Sequence, residues 1–282
     1  MNNFLYSYQH LPFQINPTAF SWGFLKVDWY SLMYLVGFGV VFLLLEYRIK
    51  KSENNFDFNT SKLLDLLLYS FAGLIFGARL GYVLFYNFSY YLQNPLAIIS
   101  PYDPITHQFI GIYGMSYHGG LLGVVLFAWI FSKKNKLDVL KVADFVVPAI
   151  PAGYFFGRVG NFLNGELYGR VTQKFWGMYF PTDTTGLLRH PSQIYEAMLE
   201  GIILFVFLWI FRNREIFQNK LLGLYLIGYA FFRILVEFFR QPDPQIGYLW
   251  GFLTLGQILS SAMICAGVIL IFCGKKNKKV LK

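Results

Sequence analysis

Thirteen residues, GRVGNFLNGELYG from Gly157 to Gly169, gather an arginine, two asparagines, a glutamate and four glycines at the edge of an apolar segment. A guanidinium is always charged, and its planar fork matches a phosphate in two places at once. Arg158 is therefore suited to hold a phosphorylated group, with Asn161, Asn164 and Glu166 able to hydrogen-bond the hydroxyls of a headgroup. Gly160, Gly165 and Gly169 would permit a tight re-entrant turn around it. A purely structural loop is the alternative reading of the same run.

Three other stretches place polar residues among apolar ones. In YAFFRILVEFFRQPD, from Tyr229 to Asp243, Tyr229, Arg233 and Glu237 recur every four residues and share one face of a helix. An ion pair at that spacing stabilises a helix by only about 0.3–0.5 kcal/mol. A charge at the centre of a bilayer costs about 2.5–3.5 kcal/mol, so helix stability does not account for them. They line a polar cavity or form a buried pair that fixes packing. His118, in the HGG of His118 to Gly120, has the side chain best suited to proton transfer near neutral pH; a satisfied hydrogen-bonding histidine is the alternative. In RHPSQIYE, from Arg189 to Glu196, His190 precedes Pro191, which suits the first turn of a helix. Glu196, a turn inside the following apolar stretch, ranks as a weaker candidate.

These residues need a membrane to position them. The chain has 282 residues, 56% hydrophobic and only 14% charged, too apolar for an ordinary globular domain. Seven stretches approach the roughly 20 residues of a span: 29–45, 63–86, 112–131, 142–157, 194–211, 221–239 and 252–273. The fourth is short and carries Pro148, Pro151 and Gly153, which survive at membrane depth only where neighbours satisfy the freed backbone. Lysine and arginine collect after the first, third, fifth and seventh stretches, at Arg48, Lys50 and Lys51; Lys133, Lys134 and Lys136; Arg212, Arg214 and Lys220; and Lys275, Lys276, Lys278 and Lys279. Such loops are cytoplasmic. The expected fold is an all-α polytopic membrane protein of seven transmembrane helices, N-out and C-in, forming one domain over 1–282. Extracytoplasmic elements are expected near 1–28, 87–111, 158–191 and 240–251, including a small cap of loops and short strands.

The net charge of +9 lies mostly in the cytoplasmic loops, so topology explains it and nucleic-acid binding is not expected. The N-terminus, without a basic residue before Lys26, reads as an external arm rather than a cleavable signal peptide. Cys265 and Cys273 read as small apolar packing residues, with no metal site and no cofactor implied. Gly73, Gly77 and Gly81 have the spacing that lets two helices approach closely.

With WYSLMY at Trp29 to Tyr34 and GMSYHGG at Gly114 to Gly120, these motifs together resemble the bacterial prolipoprotein diacylglyceryl transferases, in order and over most of the chain. The thirteen-residue run is similar to that family's signature. The resemblance implies transfer of the diacylglyceryl group of phosphatidylglycerol to the lipobox cysteine of a prolipoprotein signal peptide. A thioether forms and glycerol phosphate leaves, at the outer face of the cytoplasmic (inner) membrane and among its lipids. It further implies that Tyr30, His118, Arg158, Asn161, Glu166, Gly169, Tyr229 and Arg233 matter, with Glu237 and Arg240 behind them. In the reading that follows, Arg158 and Arg233 clamp the phosphate and His118 takes the thiol proton, with Glu166 as the alternative base. A transporter of an anionic lipid or small anion is the competing function; it expects polar residues to continue toward the cytoplasmic side, where they are sparse.

Overall fold

The computed structural model describes residues 3–23, 25–53, 56–100, 102, 114–242, 247–249 and 251–273. Its long helices are α1 (Trp29–Lys50), α2 (Thr60–Phe85), α3 (Tyr117–Lys134), α4 (Val139–Leu163), α5 (Ser192–Phe211), α6 (Leu221–Glu237) and α7 (Leu255–Cys273). Among the described residues, α1, α2, α4, α5 and α7 are long and apolar enough to cross a membrane, which makes this a polytopic membrane protein. The helices α3 and α6, of 18 and 17 residues, occupy the third and sixth stretches read from the sequence. Gly111, Ile112, Asp243 and the C-terminal lysines 275, 276, 278 and 279 lie outside the described residues.

The fourth stretch differs from expectation. It is helical for 25 residues, because a short tight turn at Val147–Ala149 puts Pro148 at the start of a helical turn, where a missing N–H leaves no bond unmade. At its other end, Arg158 to Leu163 continue the helix, so the re-entrant turn begins only at Asn164. One glycine does not end a helix whose neighbours hold it. Gly160 packs on α1, where a Cβ would stand 3.3 Å from Tyr30 Cα. Left-handed backbone appears at Gly165 and Leu167, past the helix end.

The chain divides into two compact units, Met1–Arg48 with Ala143–Lys282, and Ile49–Val142. In the first, α1 meets α4 at Gly37, whose Cβ would lie 2.9 Å from the carbonyl oxygen of Gly153, and α6 meets α7 where Gly223 faces the Gly267 carbonyl. Val147, Leu204, Leu208 and Leu221 form one core. The N–H of Leu222 donates to Asp144 at 2.8 Å, so α4 caps the start of α6. Near Leu163 a second core of Phe162, Met178 and Phe180 is covered by Tyr8, Ile15, Tyr168 and Ile194. The N-terminal arm is tied there by Tyr8 to the Trp176 carbonyl and by Gln9 to the Phe175 carbonyl, each at 3.1 Å. Short antiparallel pairs form at Thr18–Trp22 with Leu25–Asp28 and at Tyr248–Leu249 with Leu253–Thr254. Within 170–189 the expected strands shrink to isolated bridges of Val171 and Met178 with Arg189. Cys265 is exposed on α7 rather than packed.

In the second unit, α2 and α3 pack along their glycines. A Cβ at Gly77 would fall 2.7 Å from Gly123 Cα, and one at Gly81 would fall 2.8 Å from Gly119 Cα. No larger residue fits, which is the close approach that the spacing predicts. Arg79 donates to the carbonyls of Ala97 and Ile98, both at 2.7 Å, and holds the segment after α2. Ser116 caps α3 by accepting from the Gly119 N–H at 3.2 Å. His118 stands exposed in the first turn of that helix, its ring edge-on to Tyr117.

Candidate active site

Four elements of the first unit supply one charge cluster. Helix α4 carries Tyr154, Arg158 and Asn161 on successive turns; α5 carries Glu196 and Glu200; α6 carries Tyr229, Arg233 and Glu237; Arg240 follows α6 directly. The four-residue spacing of Tyr229, Arg233 and Glu237 delivers all three toward the same neighbours.

Glu196 is the centre. Its side chain is 1% exposed and takes Arg158 Nε at 2.7 Å on one oxygen, with Arg240 Nη1 at 3.2 Å and Arg233 Nη1 at 3.4 Å on the other. Arg233 Nη2 also pairs with Glu237 Oε2 at 3.1 Å. Three guanidiniums thus share two paired carboxylates. Of the Arg158 and Arg233 side chains, 14% each stays accessible. Guanidiniums gathered this closely, with part of their surface open, are suited to meeting an anion such as a phosphate.

Arg158 is held from two further sides. Its Nη1 donates to Asn161 Oδ1 at 3.0 Å, and Asn161 Nδ2 donates to Glu166 Oε1 at 3.0 Å. Asn161 is buried, and the two bonds fix which end of its amide faces which partner. The backbone of Glu166 is fixed in turn, its carbonyl accepting from Gln193 Nε2 at 2.6 Å. On the remaining side the Tyr154 ring lies 4.7 Å from the Arg158 guanidinium carbon.

The other residues singled out from the sequence fall as follows. Tyr30 opens α1 against Gly160, its hydroxyl donating to Tyr34 at 3.1 Å. Gly169 is wedged beside the end of α6: a Cβ there would meet His190 Cβ at 2.9 Å and collide with the Phe239 carbonyl. Tyr229 stands edge-on to Tyr154 with ring centres 5.7 Å apart. His190 belongs to the start of α5, where its carbonyl accepts from Gly169 at 2.8 Å and from Ser192 at 2.8 Å. Burial, with the Lys174 charge, holds its imidazole below the ordinary value. His118 lies in the other unit.

Sequence reasoning undervalued Glu196 and passed over Tyr154, Glu200 and Arg170. Arg170 braces the site from behind, donating to the carbonyls of Arg240 at 2.9 Å and Glu237 at 3.2 Å. The available signal was two acids, Glu196 and Glu200, one turn apart inside an apolar stretch. Such acids are rare enough to demand cationic partners from other helices.

Comparison with known proteins gives the family. The family model described as prolipoprotein diacylglyceryl transferase matches residues 17–273. A Chlorobaculum tepidum protein named phosphatidylglycerol–prolipoprotein diacylglyceryl transferase is 46% identical over 279 residues, covering 98% of this chain and 96% of its own length. Proteins of the same name from Legionella pneumophila and Coxiella burnetii are 46% and 45% identical, over 90% and 94% of this chain and 95% and 97% of their own lengths. A match spanning nearly the whole chain, charge cluster included, places this protein in the prolipoprotein diacylglyceryl transferase family.

Proposed function

We propose that this enzyme, a diacylglyceryl transferase, moves the diacylglyceryl group of phosphatidylglycerol onto the lipobox cysteine of a prolipoprotein. The observation that carries the site assignment is the convergence of Arg158, Arg233 and Arg240 on Glu196, with part of the Arg158 and Arg233 side chains still accessible. The thiol sulfur attacks the glycerol carbon that carries the phosphate ester. A carbon–sulfur bond forms as the carbon–oxygen bond breaks, and the electron pair leaves with glycerol phosphate. Arg158 and Arg233 hold that phosphate and stabilise the charge it gains. Arg240 and Glu237 keep the clamp in shape, while Tyr30, Asn161, Glu166, Gly169 and Tyr229 shape the headgroup site.

The thiol, with an ordinary pKa of about 8.5, must lose its proton. His118 is the assigned acceptor, from its imidazole chemistry and the glycines beside it; Glu166 takes the role if a His118→Gln enzyme keeps near-full turnover with both substrates bound. The chain acts as one membrane domain of seven spans, N-out and C-in in the bacterial cytoplasmic membrane, with the site toward the outer face. The lysines and arginines of alternate loops support that orientation.

The test is transfer from labelled phosphatidylglycerol to a lipobox peptide in detergent, with wild type beside Arg158→Ala. Thioether and glycerol phosphate from wild type alone are expected. A folded wild type that binds the lipid and transfers nothing would favour the anion transporter instead.

A further inference from the structure

Tyr154 takes no part in the transfer scheme, yet it touches four members of the cluster. It lies one turn before Arg158 on α4, so its ring stacks under the guanidinium at 4.7 Å. Its hydroxyl lies 2.6 Å from Glu200 Oε2 and 3.3 Å from Glu196 Oε2, the carboxylate oxygen that also receives Arg158 Nε. Its edge meets Tyr229. Glu200 is 1% exposed, and its second oxygen has no hydrogen-bond partner among the described residues. A buried acid with one of its oxygens unserved is expensive to keep, and the bond it does make is to Tyr154. It sits in a π-helical turn, Ala197–Ile203, that follows Glu196 directly; such turns are uncommon and cluster at functional sites.

We propose that Tyr154 is a positioning residue for the transfer reaction: anchored by Glu200, it fixes the plane of the Arg158 guanidinium and the Glu196 carboxylate that orients it. The proposal rests on the reading of Arg158 as the phosphate ligand. An arginine side chain is long and rich in rotamers, and a small misplacement of a charge-stabilising group costs rate more than binding. Tyr154 itself reaches no reacting atom.

The experiment measures transfer from phosphatidylglycerol to a lipobox peptide by wild type, Tyr154→Phe, Tyr154→Leu, Arg158→Ala, Arg158→Lys and the Tyr154→Phe/Arg158→Lys double variant, the lysine variants as single-turnover rates. Tyr154→Phe, which keeps the ring and loses the hydroxyl, is expected to lower kcat about tenfold with KM for the lipid within about twofold. Tyr154→Leu, which loses the ring as well, should lower kcat about a hundredfold. In the Arg158→Lys background the same Tyr154→Phe change should cost less than about twofold, since the group it positions is already gone. Equal losses in both backgrounds, or a rise in KM alone, would mean a merely structural role and overturn the proposal. Full activity of both Tyr154 variants beside an inactive Arg158→Ala would overturn it while leaving the phosphate assignment standing. An active Arg158→Ala would instead remove the assignment on which it rests.

Discussion

Arg189 and Arg158 both meet a buried carboxylate, but the surroundings of the two acids differ. Asp183 is held by one guanidinium, with Arg189 Nε at 2.6 Å on one oxygen and Nη2 at 3.2 Å on the other, and the Thr185 hydroxyl and N–H complete its bonds at 2.8 and 3.0 Å. One cation meets one anion, two-pronged and closed, and the pair ties the turn after Phe180 to the strand-like segment at Arg189. Glu196 is met by three guanidiniums, one from α4 and two from α6 and the residues just after it, and each of those side chains stays partly accessible. The closed pair braces a loop; the shared carboxylate gathers three guanidiniums at one place, where a substrate anion could meet them. Stoichiometry, rather than the presence of a buried ion pair, separates brace from site.

The most damaging way to break this contrast is Glu196→Gln. Three guanidiniums would lose their common anion, and removal of one member of a buried ionic cluster costs about 3–5 kcal/mol. Thermal unfolding in detergent should show a large drop in Tm together with lost transfer; a variant as stable as wild type would mean that Glu196 does not hold the cluster. Arg158→Ala should have the opposite signature. Glu196 keeps Arg233 and Arg240, so Tm should change little while transfer falls at least about a hundredfold, the cost of removing one preorganised charge-stabilising donor. Arg158→Lys should not restore it, because a point charge cannot serve Glu196, Asn161 and a phosphate in one plane. If Arg158→Ala instead lowers Tm and spares turnover, Arg158 is a second brace and the contrast fails.

Most of the scaffold was legible in the sequence because long apolar runs leave few options, and the glycine spacing on α2 marked it for a close helix approach, though not the partner, which is α3. The course of α4 was not. Its prolines and the glycine- and asparagine-rich run around Arg158 carry turn propensity, which packing of Gly37, Gly153 and Gly160 between α1 and α4 overrides. In the cluster, Arg158, Arg233 and Glu237 stood out because each is a charge in an apolar setting, and the last two show their pairing at i,i+4. Glu196 was undervalued for a physical reason: all its partners come from other helices, and spacing within a helix records nothing of them. Tyr154 is hidden more completely, since an aromatic in an apolar run looks like any core residue until its hydroxyl is placed against two acids.

The smallest expected effect sharpens the comparison from the side of the brace. Burial pushes the Asp183 carboxyl up, but hydrogen bonds from Arg189 and Thr185, with the Arg189 charge, outweigh it and hold the group at about 2, below its ordinary 3.8. A folded-state value below the unfolded one means that the unfolded chain binds the proton more readily. The stabilisation is therefore fully present above about pH 4 and is lost as the pH falls toward about 2. Thermal unfolding in detergent across that window should show wild type losing an increment of Tm that Asp183→Asn, already lacking the charge, does not lose; parallel profiles would assign the acid sensitivity to other groups. Transfer near neutral pH should be unaffected by this titration, because Asp183 is ionised throughout and donates nothing to the lipid. Folded Asp183→Asn enzyme should then turn over at close to the wild-type rate, which Arg158→Ala enzyme, however well folded, should not approach.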